Sequence, residues 1–119
     1  MATFALLLQH APDRYTNLGE EEYMDIIKDY IAWTEEMAAK GAYQGGHKLT
    51  DDLGCKVIQG ESGVEVVHTN AAELTEVLGG LMIVTADDYD GAVEIAKSCP
   101  HLVHNDTIEI RQIAEMDED

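Results

Sequence analysis

Leu81-Met82-Ile83-Val84-Thr85, then Asp87, then Tyr89-Asp90-Gly91-Ala92-Val93-Glu94-Ile95-Ala96-Lys97-Ser98-Cys99-Pro100, is the stretch that decides the fold. The first run has the length and composition of a strand covered on both faces. Asp87 is a good N-cap for a helix starting just after it. Tyr89, Ala92, Val93, Ala96 and Cys99 recur at three- and four-residue steps, the stripe of an amphipathic helix. Pro100 stops that helix, because it has no amide proton and its ring clashes with the preceding turn. Thr107 to Ile113 then returns as a last strand, so the carboxy-terminal part of the chain is one strand–helix–strand unit.

The amino-terminal part repeats the plan. Thr3 to Gln9 is a short apolar strand ending at the turn cluster His10-Ala11-Pro12-Asp13. From Glu20 the period lengthens: Tyr23, Ile26, Ile27, Tyr30, Ile31, Thr34, Met37 and Ala38 mark one face of a helix. Gly19 is an acceptable cap, Glu20, Glu21 and Glu22 set negative charge on the positive end of the helix dipole, and Leu18 can staple against Tyr23. Gly41 ends the helix in the left-handed conformation that glycine adopts readily. Ala42 to Lys48, with Gly45-Gly46, reads as a weak strand or a close backbone approach. Cys55 to Gln59 and Val64 to His68, joined by Gly60-Glu61-Ser62-Gly63, read as a β-hairpin.

The two halves predict an α+β, ferredoxin-like sheet of the dimeric α/β barrel type, with two helices on one face and an inserted hairpin. A single domain over residues 1–114 and an acidic tail at 115–119 account for the whole length. The sheet face away from the helices needs a partner or a polar surface. In the last strand Thr107, Glu109, Arg111 and Ile113 share one side, which puts a charged pair on that open face. Two copies closing their open faces together, a homodimer, is the economical solution.

Seven Lys and Arg against 24 Asp and Glu leave a net charge of −17, which sets phosphate backbones and anionic lipid against this surface. No nucleic acid and no membrane are expected as partners. The amino terminus has no basic stretch, and its apolar run, Phe4 to Leu8, is too short for a signal peptide or a span, so a cytoplasmic protein is expected. Cys55 and Cys99 are read as small buried hydrophobes rather than a disulfide or a zinc pair. The glycine pairs 45–46 and 79–80 fit no phosphate-binding loop, and there is no serine elbow or activated cysteine.

Five histidines remain, at 10, 47, 68, 101 and 104. His10 and His68 fall at strand ends, where reactive groups are commonly presented. His101, His104 and Asp106 are suitable ligand types but lack the rigid spacing of a metal motif, so neither metal nor cofactor is expected. Glu73 and Glu76 would share a helical face if their segment forms a turn before Gly79. The stripe Tyr30, Trp33, Met37 reads as core or helix flank.

Several stretches together resemble the YCII-related family, in particular its branch named for a DGPF motif. They are Leu18-Gly19-Glu20-Glu21-Glu22, Gly45-Gly46 with Leu49, Glu73 to Gly80, Ala92 to Leu102, and Ile108-Glu109-Ile110-Arg111. The resemblance runs from Phe4 to Ile113, with His68-Thr69-Asn70-Ala71 standing where the motif itself would be. It implies a ferredoxin-like fold, a homodimer and a cleft beside the open sheet face. The wider group is regarded as enzymes with a His and Asp pair, similar in fold to muconolactone-processing enzymes, and some relatives occur with sigma factors.

Residues and resemblance lead to one main expectation: a homodimer with a cleft for a small polar or cyclic organic molecule and histidine-assisted proton transfer. His10, His68 and His101 are the candidate bases and Glu73 the orienting carboxylate. Arg111 is the candidate anion clamp, with Glu109 and Tyr43 beside it in substrate binding. The alternative is a non-enzymatic interaction module that offers its acidic surface to a basic protein.

Overall fold

The computed structural model describes residues 1–12, 18–68, 74, 76–104 and 106–116. Its elements run β1 (Ala2–His10), α1 (Glu20–Ala39), β2 (Tyr43–Lys48), β3 (Cys55–Gly60), β4 (Gly63–His68), β5 (Val77–Ala86), α2 (Tyr89–Lys97), a 3₁₀ turn (Pro100–His104) and β6 (Thr107–Gln112). Four strands make one antiparallel sheet in the order β2-β5-β1-β6, and β3 pairs with β4 as a separate ribbon. This is the expected α+β ferredoxin-like arrangement with its inserted hairpin.

Alternation sorts the sheet into two faces. Phe4, Leu6, Leu8 and His10 of β1, with Met82, Val84 and Ala86 of β5, are buried on one side. Trp33 and Met37 of α1, Ala92 and Ala96 of α2, and Cys99 complete that core. Ala5, Leu7, Leu81 and Ile83 point to the other side and stay partly exposed. Glu109 and Arg111 stand there too, paired with Leu7 and Ala5 across the ladder, as the alternation of β6 predicts.

The molecule is a slab, 51 × 49 × 19 Å, so its thin dimension holds only one sheet and one helix layer. Its radius of gyration, 16.6 Å, exceeds the roughly 13.5 Å of a compact domain of this length, because the β3–β4 ribbon stands away from the body. Cross-strand partners put Val57, Val64 and Val66 on one face of the ribbon, and they are 67%, 71% and 58% exposed.

Four local expectations need correction. Asp88, not Asp87, caps α2: its Oδ1 accepts from Gly91 N at 2.9 Å, the N-cap-to-N3 spacing that Asp87 misses by one residue. The strand expected at 81–85 begins at Val77, so Val77 to Gly80 is extended, and Glu76 does not sit on a helix. Cys55 lies on the exposed ribbon, while Cys99 is buried, its thiol pushed up to about 11 by burial; both are free. Beyond Pro100 the chain makes a 3₁₀ turn before β6.

Candidate functional site

A β-bulge builds the site. Leu8 pairs with Gly80 but Gln9 pairs with Leu78, so Gly79 is an extra residue in β5 and the ladder shifts beside it. After the shift His10 faces Val77, and both turn to the helix-covered side, where His10 is 5% exposed. Gly79 is glycine for a spatial reason. A Cβ there would overlap His10 Cδ2 and lie 2.5 Å from Nε2, so the imidazole occupies the room that a side chain would take.

Gly46 and Gly80 hollow the same region: a Cβ on either would meet backbone oxygen at 2.9 Å, and on Gly46 also the Tyr43 hydroxyl. Without side chains on those strands, the amino-terminal half of α1 bridges a gap rather than packing on it. The gap is a cavity of about 240 Å³. Leu8, Ile26, Ile27 and Met82 form its apolar wall, and His10, Tyr30, Tyr43, Lys48 and His101 bring polar atoms to it. The cleft therefore lies under α1, on the covered side of the sheet, and not beside the open face as expected. A wider hollow of about 620 Å³ shares His10, but its remaining wall is Pro12, the loop from Leu49 to Gly54, Lys56 at the ribbon root and residues 74 and 76–78. The smaller cavity is the candidate site, because two buried imidazoles, His10 and His101, border it.

Among the described residues His10 and His101 are buried, and the Asp106 side chain is only 6% exposed. His10 Nδ1 is 2.7 Å from the Ala11 carbonyl, which can only accept, so Nδ1 carries the proton and the neutral ring has its lone pair at Nε2. His101 Nε2 lies 2.8 Å from the Gln9 carbonyl, and its Nδ1 lies 2.7 Å from the Tyr30 hydroxyl and 3.9 Å from Asp106 Oδ2. Burial is the main cause that lowers the His101 pKa, and nearby His10 lowers it further; the Gln9 and Thr107 backbone and Asp106 act the other way. Both imidazoles thus border the cavity, His10 anchored through Nδ1 and His101 through both ring nitrogens.

The remaining candidates, Tyr43 excepted, lie elsewhere. Tyr43 lines the cavity. His68 ends β4 on the exposed ribbon. Glu109 and Arg111 pair loosely with each other at 3.8 Å on the open face, lining neither hollow. Glu73 lies outside the described residues. Tyr30, which the helical stripe placed in core or flank, lines the cavity; Trp33 and Met37 are the core of that stripe. The signal for Tyr30 was its place one turn before Trp33, above the glycine-rich strands.

The model of the YCII-related domain matches residues 2–117. The chain belongs to the YCII-related family. Among solved structures it is similar to 5-chloro-2-hydroxyhydroquinone dehydrochlorinase (TftG) from Burkholderia phenoliruptrix AC1100, in complex with 2,5-dihydroxybenzoquinone. The match has a TM-score of 0.54 at 12% identity and covers 98% of this chain and 96% of that one, a likeness of fold. No curated protein matches the sequence. No helix among the described residues is long and apolar enough to cross a membrane.

Proposed function

We propose that this YCII-related protein binds a small cyclic organic molecule in the cavity under α1 and moves a proton on it with His10 as base. One observation carries the reading: His10, ordered by its Ala11 bond and by the space over Gly79, brings an imidazole to an apolar, partly enclosed cavity. Apolar walls suit a ring, and a few polar groups at fixed places orient it. His10 Nε2 takes the proton from the substrate, becomes imidazolium, and returns the proton to product or solvent. The fold shared with a dehydrochlorinase that holds a six-membered ring supports the same class of ligand. We also propose a homodimer: a slab 19 Å thick with Leu7, Leu81 and Ile83 half exposed and a valine-faced ribbon extended has two apolar surfaces to bury.

The test uses 2,5-dihydroxybenzoquinone as probe, followed by calorimetry and by exchange of its ring hydrogen for deuterium in heavy water. Wild type should bind and accelerate exchange, and His10→Gln should lose about a hundredfold of that acceleration, the usual weight of a general base. Equal exchange by both proteins would remove His10 from the chemistry. Sedimentation over a range of concentrations checks the dimer.

A further inference from the structure

The two faces of the β3–β4 ribbon differ in chemistry. Cross-strand pairing sets Val57 beside Val66, Gln59 beside Val64 and Cys55 beside His68 on one face, and Lys56 beside Val67 and Ile58 beside Glu65 on the other. The first face carries no Asp, Glu, Lys or Arg in a chain where 26% of residues are charged, and its three valines are more than half exposed. A two-stranded ribbon standing alone is marginal in water, and among the described residues no third strand joins this one. The valine face therefore needs a cover, whereas the face holding Lys56 and Glu65 can stay wet.

The ribbon's own sheet does not supply that cover. Packing the ribbon over the open face of β2-β5-β1-β6 would add a layer about 10 Å deep, and the 19 Å thickness holds one sheet and one helix layer only. Each molecule thus leaves two apolar surfaces bare, the valine face and the patch of Leu7, Leu81 and Ile83. Charge decides what covers them. A basic protein would be drawn to α1, where Glu20, Glu21, Glu22, Asp25 and Asp29 are exposed, and would gain nothing from uncharged valines. Two copies, each at −17, repel one another except where carboxylates are sparse. The four sheet strands are such a place, since their one carboxylate is Glu109, set against the cations Lys48 and Arg111. Area decides how many arms are needed. Six rungs of ribbon measure about 20 Å by about 10 Å, so one seated arm buries about 400 Å² counting both sides. Two arms related by a two-fold axis bury about 800 Å², and the sheet margins around them extend this toward the about 1,200 Å² at which stable interfaces begin.

We infer that the β3–β4 ribbon is an arm whose valine face seats on the open sheet face of a second copy, each copy giving one arm and receiving one. The arm rests on the homodimer reading and names which element joins which surface.

The test pairs charge variants of the full chain in sedimentation. Val64→Lys sets a cation on the valine face and Ile83→Glu an anion on the seat; each alone should weaken self-association by about tenfold or more. Val67→Lys, the same charge on the wet face of the same ribbon, should stay within about threefold of wild type. Mixed together, Val64→Lys and Ile83→Glu should form a heterodimer about tenfold tighter than either variant's own dimer, because one arm then joins lysine to glutamate and the other is wild type on both sides. Wild type supplies a readout that needs no variant to fold: amide exchange in β3 and β4 should slow over the concentration range in which sedimentation shows the dimer forming. Unchanged association in Val64→Lys, an equal loss in Val67→Lys, or a mixture that restores nothing would each overturn the arm while leaving a dimer in place. Exchange in β3 and β4 that stays fast in the dimer would overturn it too, and would leave the valine face to a different partner. A monomer at every concentration would remove the homodimer reading and the arm together.

Discussion

The two ends of β1 are built on opposite rules. Toward its start, Phe4 and Leu6 are fully buried against Val84, Met37 and Trp33, and Phe4 meets Tyr89 edge-on at 4.9 Å between ring centres. Toward its end, Leu8 pairs with Gly80, the His10 ring lies against Gly79, Gly46 stands on β2 beyond β5, and α1 spans a hollow lined by hydroxyls and imidazoles. One end fills space with side chains and gives stability; the other removes side chains and leaves a cavity. The same helix serves both, its later turns supplying Trp33 and Met37 and its first three turns Tyr23, Ile27 and Tyr30.

Breaking the filled end should have the largest effect. Trp33 is 4% exposed, and its Nε1 donates to Ser98 Oγ at 2.9 Å, tying α1 to the end of α2. Trp33→Ala should lower stability by about 3–5 kcal/mol in urea denaturation, a large share of what a domain of this size possesses. If the comparison holds, Trp33→Phe, which keeps bulk and loses the hydrogen bond, should fall well short of that loss while ligand binding stays near wild type.

Filling the hollow end comes next. Gly79→Ala sets a Cβ where the His10 ring now lies, so either the ring or the bulge must move. Stability should drop by about 1–3 kcal/mol, the usual range for overpacking, and probe binding and exchange should fall together. Intact exchange in Gly79→Ala would mean that the His10 position does not matter.

The same contrast explains how much was legible beforehand. The filled end announces itself: Phe4 to Leu8, Met82 to Val84 and the Ala92–Ala96–Cys99 stripe alternate or recur at their proper periods, and those residues are buried. Glu109 and Arg111 also stand where period-two alternation puts them. The hollow end is harder to read because its message is carried by missing side chains. Gly79-Gly80 interrupts the apolar pattern, so β5 is taken to begin at Leu81, and a bulge that redirects His10 has no periodicity of its own. His10 and His101 were legible as candidates because imidazole is scarce and reactive; their convergence depends on a contact across 92 positions, from His101 to the Gln9 carbonyl. Tyr30 was hidden because a stripe has one period whether it faces core or cavity.

A third, smaller effect lies in pH. Folded His101 is held neutral below its ordinary value of 6.5, chiefly by burial, whereas the unfolded chain takes up the proton near that value. Below about pH 6.5 unfolding therefore binds a proton, so stability is whole above that pH and declines as pH falls toward the lowered folded-state value, by at most about 1.4 kcal/mol per unit. His101→Gln should remove this slope. The difference between wild type and variant in denaturation midpoints at about pH 7.5 and about pH 5.5 isolates it from the carboxylates common to both. Parallel profiles would show that His101 titrates normally.

The smallest effect belongs to the open face, and it sharpens the comparison by its absence from both ends. Arg111 is 71% exposed, and Nη1 to Glu109 Oε2 is 3.8 Å, a distance at which water competes for both charges. Arg111→Ala should change monomer stability by no more than about 0.5 kcal/mol and leave probe binding in the cavity unaltered. Its effect should instead appear in self-association, because two copies joined through this face would bring each Arg111 out of water beside the partner's acidic surface. Sedimentation at low and high salt reads this directly. A weaker dimer at low salt, with cavity binding unchanged, separates the face that joins copies from the end that does chemistry; a loss of binding with the dimer intact would connect them through the sheet.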